Sequence, residues 1–411
     1  MSISETTLDG PAVALAPVGI KDRIFNLDML RGWAILGILA VNAMAFAWPV
    51  SVEMGGAHPY PDTAANQWGH WVTDVFFADK MRTLFTMLFG VSIFLVGGER
   101  SDLARGKLLR SRLFWLAVFG LIHGLAFWYG DILLHYAYCG LLVMLMRSMK
   151  PAPLLWIGGG VTLLWGLIAT FAPIIFAGLG PEFAAKMEAG QPKVSTEDVM
   201  ATVAVYKAGI GPWVENAKAW LMLQGMSLML IPVSVPLMMF GLGLFKSGFF
   251  GGRSPAWLYI LIVLVAAANL AVFGWATLPG VDPETLPIKG LDDAAGGMAP
   301  LITVGYASLL ILLTRFGLKA VTSVLAPVGR MAFTNYLTQT LIFTTLFYMP
   351  WGPQWFGTMG PGGLWGVVGG IWIAQLIWSP LWLSAFSMGP LEWVWRCLTY
   401  GRMVPLRKAS A

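Results

Sequence analysis

Apolar residues in this chain come in long blocks separated by short polar stretches. Ten blocks stand out: Trp33–Trp48, Thr83–Val96, Leu113–Tyr129, Ile132–Met146, Leu154–Leu179, Ala219–Phe245, Trp257–Thr277, Ala299–Thr314, Met331–Met349 and Leu364–Phe386. About 20 apolar residues cross the ~30 Å hydrocarbon core as a helix. The shorter blocks must take in flanking residues. Only helices and closed barrels satisfy the backbone in lipid. The pattern therefore predicts an all-α, polytopic transmembrane helix bundle of about ten spans.

Loop charge orients the bundle. Alternate loops carry Lys21, Arg23 and Arg31; Arg100 to Arg112; Arg147 and Lys150; Lys246 and Arg253; Arg315 to Arg330; and Arg396 to Lys408. The loops between them hold only Lys186, Lys193, Lys207, Lys218 and Lys289. The positive-inside rule puts the basic side, with both termini, in the cytoplasm. Residues 1–26 lack a basic start before an apolar core and read as a disordered cytoplasmic tail. Residues 27–179 form an N-terminal membrane half with spans one to five. Residues 180–218 form an outer loop with a short amphipathic helix around Glu197–Tyr206. Residues 219–411 form a C-terminal half with spans six to ten, ending in an interfacial helix rich in Trp.

Composition sharpens this picture. Charged residues make up 11% of the 411 and hydrophobic ones 57%. A soluble domain carries about 25% charged residues, so the expected partner is a lipid bilayer. The 20 Trp and 24 Phe suit interfacial belts. The net charge of +5 belongs to cytoplasmic loops and implies no nucleic-acid partner. Cys139 and Cys397 are the only cysteines, which leaves no disulfide framework and no metal site. Phosphate-loop, dinucleotide-binding, nucleophile-elbow and zinc-protease motifs are absent.

Candidate chemistry lies where polar groups interrupt apolar blocks. Leu121–Tyr138 places His123, Asp131 and His135 in or beside apolar helices, and such groups default to a functional reading. Asp131 can cap the helix that follows it, or orient His123 as a general base. Asp74, at the outer end of the second span, is a second candidate partner for His123. On the first helix Asp28 can pair with Arg31. Arg31 and Asn42 are eleven residues apart, about three turns, which leaves them ~20° from a common face. They read as an anchor plus an interhelix amide, or as one face of a cavity. Asn335 and Gln339, at i and i+4, either hold helices together or contact substrate. Arg330 suits a phosphate. The loop histidines His58 and His70 read first as solvated groups.

The segments LDMLRGWAILGILAVN, LFTMLFG, LIHGLAFWYGDILLHY, VGRMAFTNYLTQTLI and GPLEWVWR follow one another over nearly the whole chain. Together they resemble the YeiB family of bacterial inner-membrane proteins. The resemblance implies the cytoplasmic membrane and a C-terminal half classed as a domain of unknown function. The first half is also similar to the transmembrane acyltransferase superfamily. There an Arg of the first helix is followed eleven residues later by His or Asn, here Arg31 and Asn42. That similarity implies acyl transfer from a cytosolic acyl-CoA to an extracytoplasmic envelope glycan or small molecule. Acetyl-CoA would be a co-substrate, and no cofactor would be permanently bound. Where many relatives carry His, this chain has Asn42, so His58, His70 and His123 remain candidates for the reactive imidazole.

Two readings follow. In the first, His123 is the general base, oriented by Asp131 or Asp74. Asn42 bonds the carbonyl or its oxyanion. Asp28, Arg31, Arg330, Asn335 and Gln339 form the donor site. In the second, the same groups line the path of a transporter or flippase for a small anionic or lipid-linked solute.

Overall fold

The computed structural model describes residues 24–55, 57–180 and 194–408. Most of the expected N-terminal tail, and Lys186 and Lys193 of the outer loop, lie outside them. The principal helices are α1 (Phe25–Ala47), α2 (Ala64–Phe76), α3 (Lys80–Gly97), α4 (Leu103–Ala126), α5 (Leu133–Met146), α6 (Gly160–Gly178), α7 (Thr196–Tyr206) and α8 (Gly211–Met229). They continue with α9 (Ile231–Lys246), α10 (Ala256–Ala276), α11 (Ala299–Arg315), α12 (Leu325–Arg330), α13 (Ala332–Phe347), α14 (Pro361–Ala385) and α15 (Pro390–Tyr400). The described residues contain no strand, only one isolated bridge between Phe386 and Arg407.

Each apolar block falls on helix. Seven stretches are long and apolar enough to cross a membrane: α1, Ala64–Gly97, α4, Pro151–Gly178, α10, Leu291–Arg315 and α14. The pair α8–α9 makes an eighth if counted as one span, bent by 61°. Pro232 sits at the break; it lacks an N–H and its ring crowds the carbonyl four residues back. The expected amphipathic helix is α7, started by a capping box between Ser195 and Asp198. His70, expected in a loop, lies on helix, because the chain is helical from Ala64. Thr63 caps that helix, and Gly69 lets it lie against the start of α14, where a Cβ would come within 2.8 Å of the Gly362 nitrogen.

Helix α1 is the centre of the bundle, packed against α3, α12, α13 and α14. Its contact with α12 is backbone on backbone. A Cβ on Gly32 would sit 2.0 Å from the Leu325 carbonyl oxygen, and one on Gly329 would sit 1.8 Å from that of Asp28.

The loops with the Lys and Arg excess gather at one end, and their cations satisfy helix-end carbonyls. Arg105 Nε donates to Val96 O at 3.0 Å, and Arg147 Nε to Gly98 O at 3.1 Å. Lys246 Nζ donates to Arg147 O at 2.6 Å, and Arg315 to Ser254 O at 3.1 Å. Those at the C-terminal ends of α3 and α5 complement the helix dipole as well. The opposite end is tied by aromatic donors: Trp48 to Met359 O at 2.7 Å, Tyr348 to Phe127 O at 2.6 Å and Trp71 to Gly274 O at 3.0 Å.

Alanine at Gly32 or Gly329 should lower the melting temperature of the purified protein in detergent, since overpacking costs about 1–3 kcal/mol or more. Gly366→Ala on α14, where a Cβ meets nothing within 4 Å, should leave it unchanged or slightly raised. Equal melting of all three variants would contradict the close approach of α1 and α12.

Candidate functional site

A cavity of about 270 Å³ lies among α1, α3, α4, α5, α12, α13 and α15. Along α1 its lining runs from Leu27 to Ile38, roughly 16 Å of helix rise. The basic end carries Asp28 and Arg31 from α1, Arg112 from α4, Arg330 from α12, and Glu392 and Arg396 from α15. Four guanidinium groups against two carboxyls leave this end net positive. The inner part is apolar, with Ile35, Ile38, Phe89 and Leu133, and is marked by the rings of Tyr136 and Tyr336.

Arg31, Arg330 and Arg112 are each held by an identifiable neighbour. Arg31 Nη1 pairs with Asp28 Oδ1 at 3.2 Å, one turn away. Arg330 follows the Gly329 contact and donates to Ser387 O at 3.3 Å. Arg112 stacks its guanidinium 3.7 Å from the Trp395 ring centre, while Trp395 Nε1 donates to Arg112 O at 3.1 Å. Glu392 reaches back to the start of α13. It accepts from Phe333 N at 2.8 Å, Thr334 N at 3.1 Å and the Thr334 hydroxyl. Burial pushes the Glu392 carboxyl above its ordinary value, and the Thr334 and Phe333 bonds pull it back.

Just beyond the inner end lies a buried polar chain. His123 Nδ1 is 2.9 Å from Asp131 Oδ1, and Nε2 is 2.9 Å from Thr340 Oγ1. A carboxylate only accepts, so in the neutral imidazole Nδ1 carries the proton and Nε2 accepts from the Thr340 hydroxyl. Carboxylate, imidazole and hydroxyl thus stand in the order of a hydrolase triad, which is recognised by geometry rather than by sequence position. Asp131 also accepts from Leu133 N at 3.2 Å and Leu134 N at 2.9 Å. It therefore caps α5 and orients His123 at once. The His123 ring centre lies 5.3 Å from that of Tyr336, so His123 stands behind a residue of the cavity wall.

The other sequence candidates lie elsewhere. Among the described residues Asp74 pairs with His70 at 3.1 Å, one turn earlier on α2, and does not meet His123. His58 Nδ1 faces the Tyr60 hydroxyl at 3.3 Å; partial burial and neighbouring His70 hold it below its ordinary value. Asn42 is half-buried further along α1 and does not line the cavity, which ends near Ile38. Asn335 and Gln339 are also outside the lining. Asn335 Nδ2 donates to Val328 O and Ser379 Oγ, both at 3.1 Å. Gln339 Nε2 donates to Gln375 Oε1 at 2.9 Å and Ile35 O at 3.3 Å. The polar stripe on α13 joins it to α14 and α1. His135 faces the bent pair instead, with Nε2 2.7 Å from Ser234 Oγ and Nδ1 3.0 Å from both Ser227 Oγ and the Tyr138 hydroxyl. Sequence reasoning missed Arg112, Tyr136, Tyr336 and Thr340. Arg112 carried a signal, a cation directly before an apolar run; the other three read as ordinary helix residues.

Residues 244–402 match a family profile described as a protein of unknown function (DUF418). That stretch supplies Arg330, Tyr336, Glu392 and Arg396, while Asp28, Arg31 and Arg112 lie before it. Over nearly its full length the chain is similar to the uncharacterized protein YeiB of Escherichia coli strain K12. Identity is 32%, covering 92% of this chain and 96% of that protein. The uncharacterized protein YxaH of Bacillus subtilis strain 168 is 28% identical over 97% of this chain and 99% of its own length. An uncharacterized 39.9 kDa protein from the amylase 3′ region of Bacillus acidopullulyticus is also 28% identical, over 95% and 97%.

Glu392→Ala should strip the first turn of α13 of its acceptor, at about 1–3 kcal/mol for stranded buried donors. Thermal unfolding should report the loss, and Glu392→Gln, which keeps one acceptor oxygen, should recover part of it. A Glu392→Ala protein as stable as the parent would show that the cap contributes nothing.

Proposed function

The chain belongs to the YeiB family, and from its cavity we propose that it is an acyltransferase of the bacterial cytoplasmic membrane, taking an anionic acyl-CoA donor through the basic end. The observation that carries this reading is the four-arginine end of an otherwise apolar cavity. Guanidinium groups match phosphate oxygens in charge and fork geometry. The apolar inner part suits the uncharged arm and acyl group of the donor. The positive-inside rule turns the basic end toward the cytosol, where acyl-CoA resides.

In this reading the acceptor is a hydroxyl or amine of an envelope glycan or small molecule. Its heteroatom attacks the thioester carbonyl, the carbon–sulfur bond breaks, and the thiol leaves with a proton. His123, oriented by Asp131, moves that proton. Asp28 holds Arg31 in place, and Arg31, Arg112, Arg330 and Arg396 hold the donor. Asn42, Asp74, Asn335 and Gln339 have no role in it: they lie outside the cavity, Asp74 is paired with His70, and Asn335 and Gln339 are bonded between helices.

A second reading, a transporter or flippase for a small anionic or lipid-linked solute, draws on the bent pair α8–α9. Broken helices mark the binding sites of many transporters, and the His135 cluster with Ser227 and Ser234 sits at this break. It requires solute flux in vesicles with no covalent product.

Acetyl-CoA at 100 times its dissociation constant should stabilise the detergent-solubilised protein by about 2.7 kcal/mol. Arg31→Ala and Arg330→Ala should each lose most of that shift. No shift at millimolar acetyl-CoA, with solute flux in vesicles that depends on His135, would replace acyl transfer by transport.

A further inference from the structure

Most buried polar side chains of the described residues have hydrogen-bond partners, and among the few atoms left over is a hydroxyl in the inner wall of the cavity. Tyr336 is 5% exposed and lines the inner part of the cavity; the Ile132 N–H approaches its hydroxyl oxygen, but no described residue accepts the hydroxyl proton. Its neighbour Tyr136, also in the lining, is tied: its hydroxyl lies 2.7 Å from Thr86 Oγ1. Thr86 Oγ1 in turn donates to Arg82 O at 2.8 Å, so Tyr136 is the donor to Thr86. At this level of the cavity Tyr336 is therefore the side chain with a proton to give. A buried hydroxyl whose proton finds no acceptor is costly in an apolar interior, and such a group in a cavity wall is accounted for when a bound molecule supplies the acceptor.

We infer that the inner end of the cavity is a carbonyl subsite, in which the Tyr336 hydroxyl donates to the acyl oxygen of the donor. This rests on the acyl-donor reading above and deepens it. The ligand has two recognised ends: an anionic end on the arginines and a carbonyl beside Tyr336, joined by an arm that crosses the apolar stretch between. Tyr336 stands between that carbonyl and His123, whose ring is its neighbour at 5.3 Å. A donor at this position also strengthens as negative charge develops on the oxygen during attack. Tyr336 thus selects acylated CoA over the free thiol and holds its carbonyl next to the His123–Asp131 pair.

The test compares acetyl-CoA with S-ethyl-CoA, a thioether that lacks only the carbonyl oxygen, on the full-length protein and on Tyr336→Phe. Dissociation constants come from ligand-dependent thermal shifts. The parent should prefer acetyl-CoA by about tenfold, the worth of one buried hydrogen bond. Tyr336→Phe should bind both compounds as the parent binds S-ethyl-CoA. Without ligand the variant should melt close to the parental temperature, because the hydroxyl it removes gives its proton to no group in the fold. A large drop in the ligand-free melting temperature would place the hydroxyl proton in a structural bond and overturn the inference. So would equal parental affinities, or a preference that survives in Tyr336→Phe. In those cases arginine-dependent binding of CoA compounds would leave the donor reading standing. If neither compound binds the parent protein, both the donor reading and the subsite fall together.

Discussion

The backbone-on-backbone approach of α1 and α12 sets the geometry of the basic end. Gly32 and Gly329 each lie where a Cβ would fall inside a carbonyl oxygen of the other segment. Small residues allow such approach in membrane bundles, where lipid is as apolar as leucine and close packing drives association. The contact brings Arg31, near the start of the chain, and Arg330, three hundred residues later, into the wall of one cavity. Helix α13 starts directly after α12, so the same contact sets where Phe333, Tyr336 and Thr340 fall. Glu392 then closes the arrangement from α15 by holding the N-terminus of α13.

A second constraint acts throughout the bundle: a polar group away from water needs a partner. Lys80 is 2% exposed and donates a hydrogen bond to Asp74 O at 2.6 Å, with its ammonium 4.6 Å from the Phe273 ring centre. Asn335, Gln339 and Gln375 bond one another or nearby backbone across α1, α13 and α14. The basic loop residues obey the same rule. They set orientation through charge, and they also cap carbonyls that helix ends leave open.

This constraint separates groups that hold the bundle together from groups that can meet a ligand. His123 belongs partly to both. Its two nitrogens tie α4, the turn at Asp131 and α13 together, which is a structural task. The same two bonds fix its tautomer and aim a hydroxyl at it, which is what proton transfer needs. The arginines differ from it in lining open space, and the cavity runs from them to the wall that covers His123.

The sequence by itself determined the helical architecture, the positions of the apolar blocks and the segregation of Lys and Arg to alternate loops. These are one-dimensional properties, since helix length against bilayer thickness and loop charge need no knowledge of which helices touch. Local pairs were equally legible. Asp28 with Arg31 and the Asp131 cap on α5 depend on neighbours within one turn, and the pairing of Asp131 with His123 spans a single tight connection. Long-range pairing was decided by the tertiary structure. Asp74 turned to His70 rather than His123, because α2 carries both at i and i+4. Asn335 and Gln339 became interhelix bonds because α14 presents Gln375 and Ser379 opposite them. Thr340 and Tyr336 carry no mark in the sequence. A hydroxyl becomes a partner for imidazole, or keeps a proton that nothing accepts, only through what the packing of other helices brings against it.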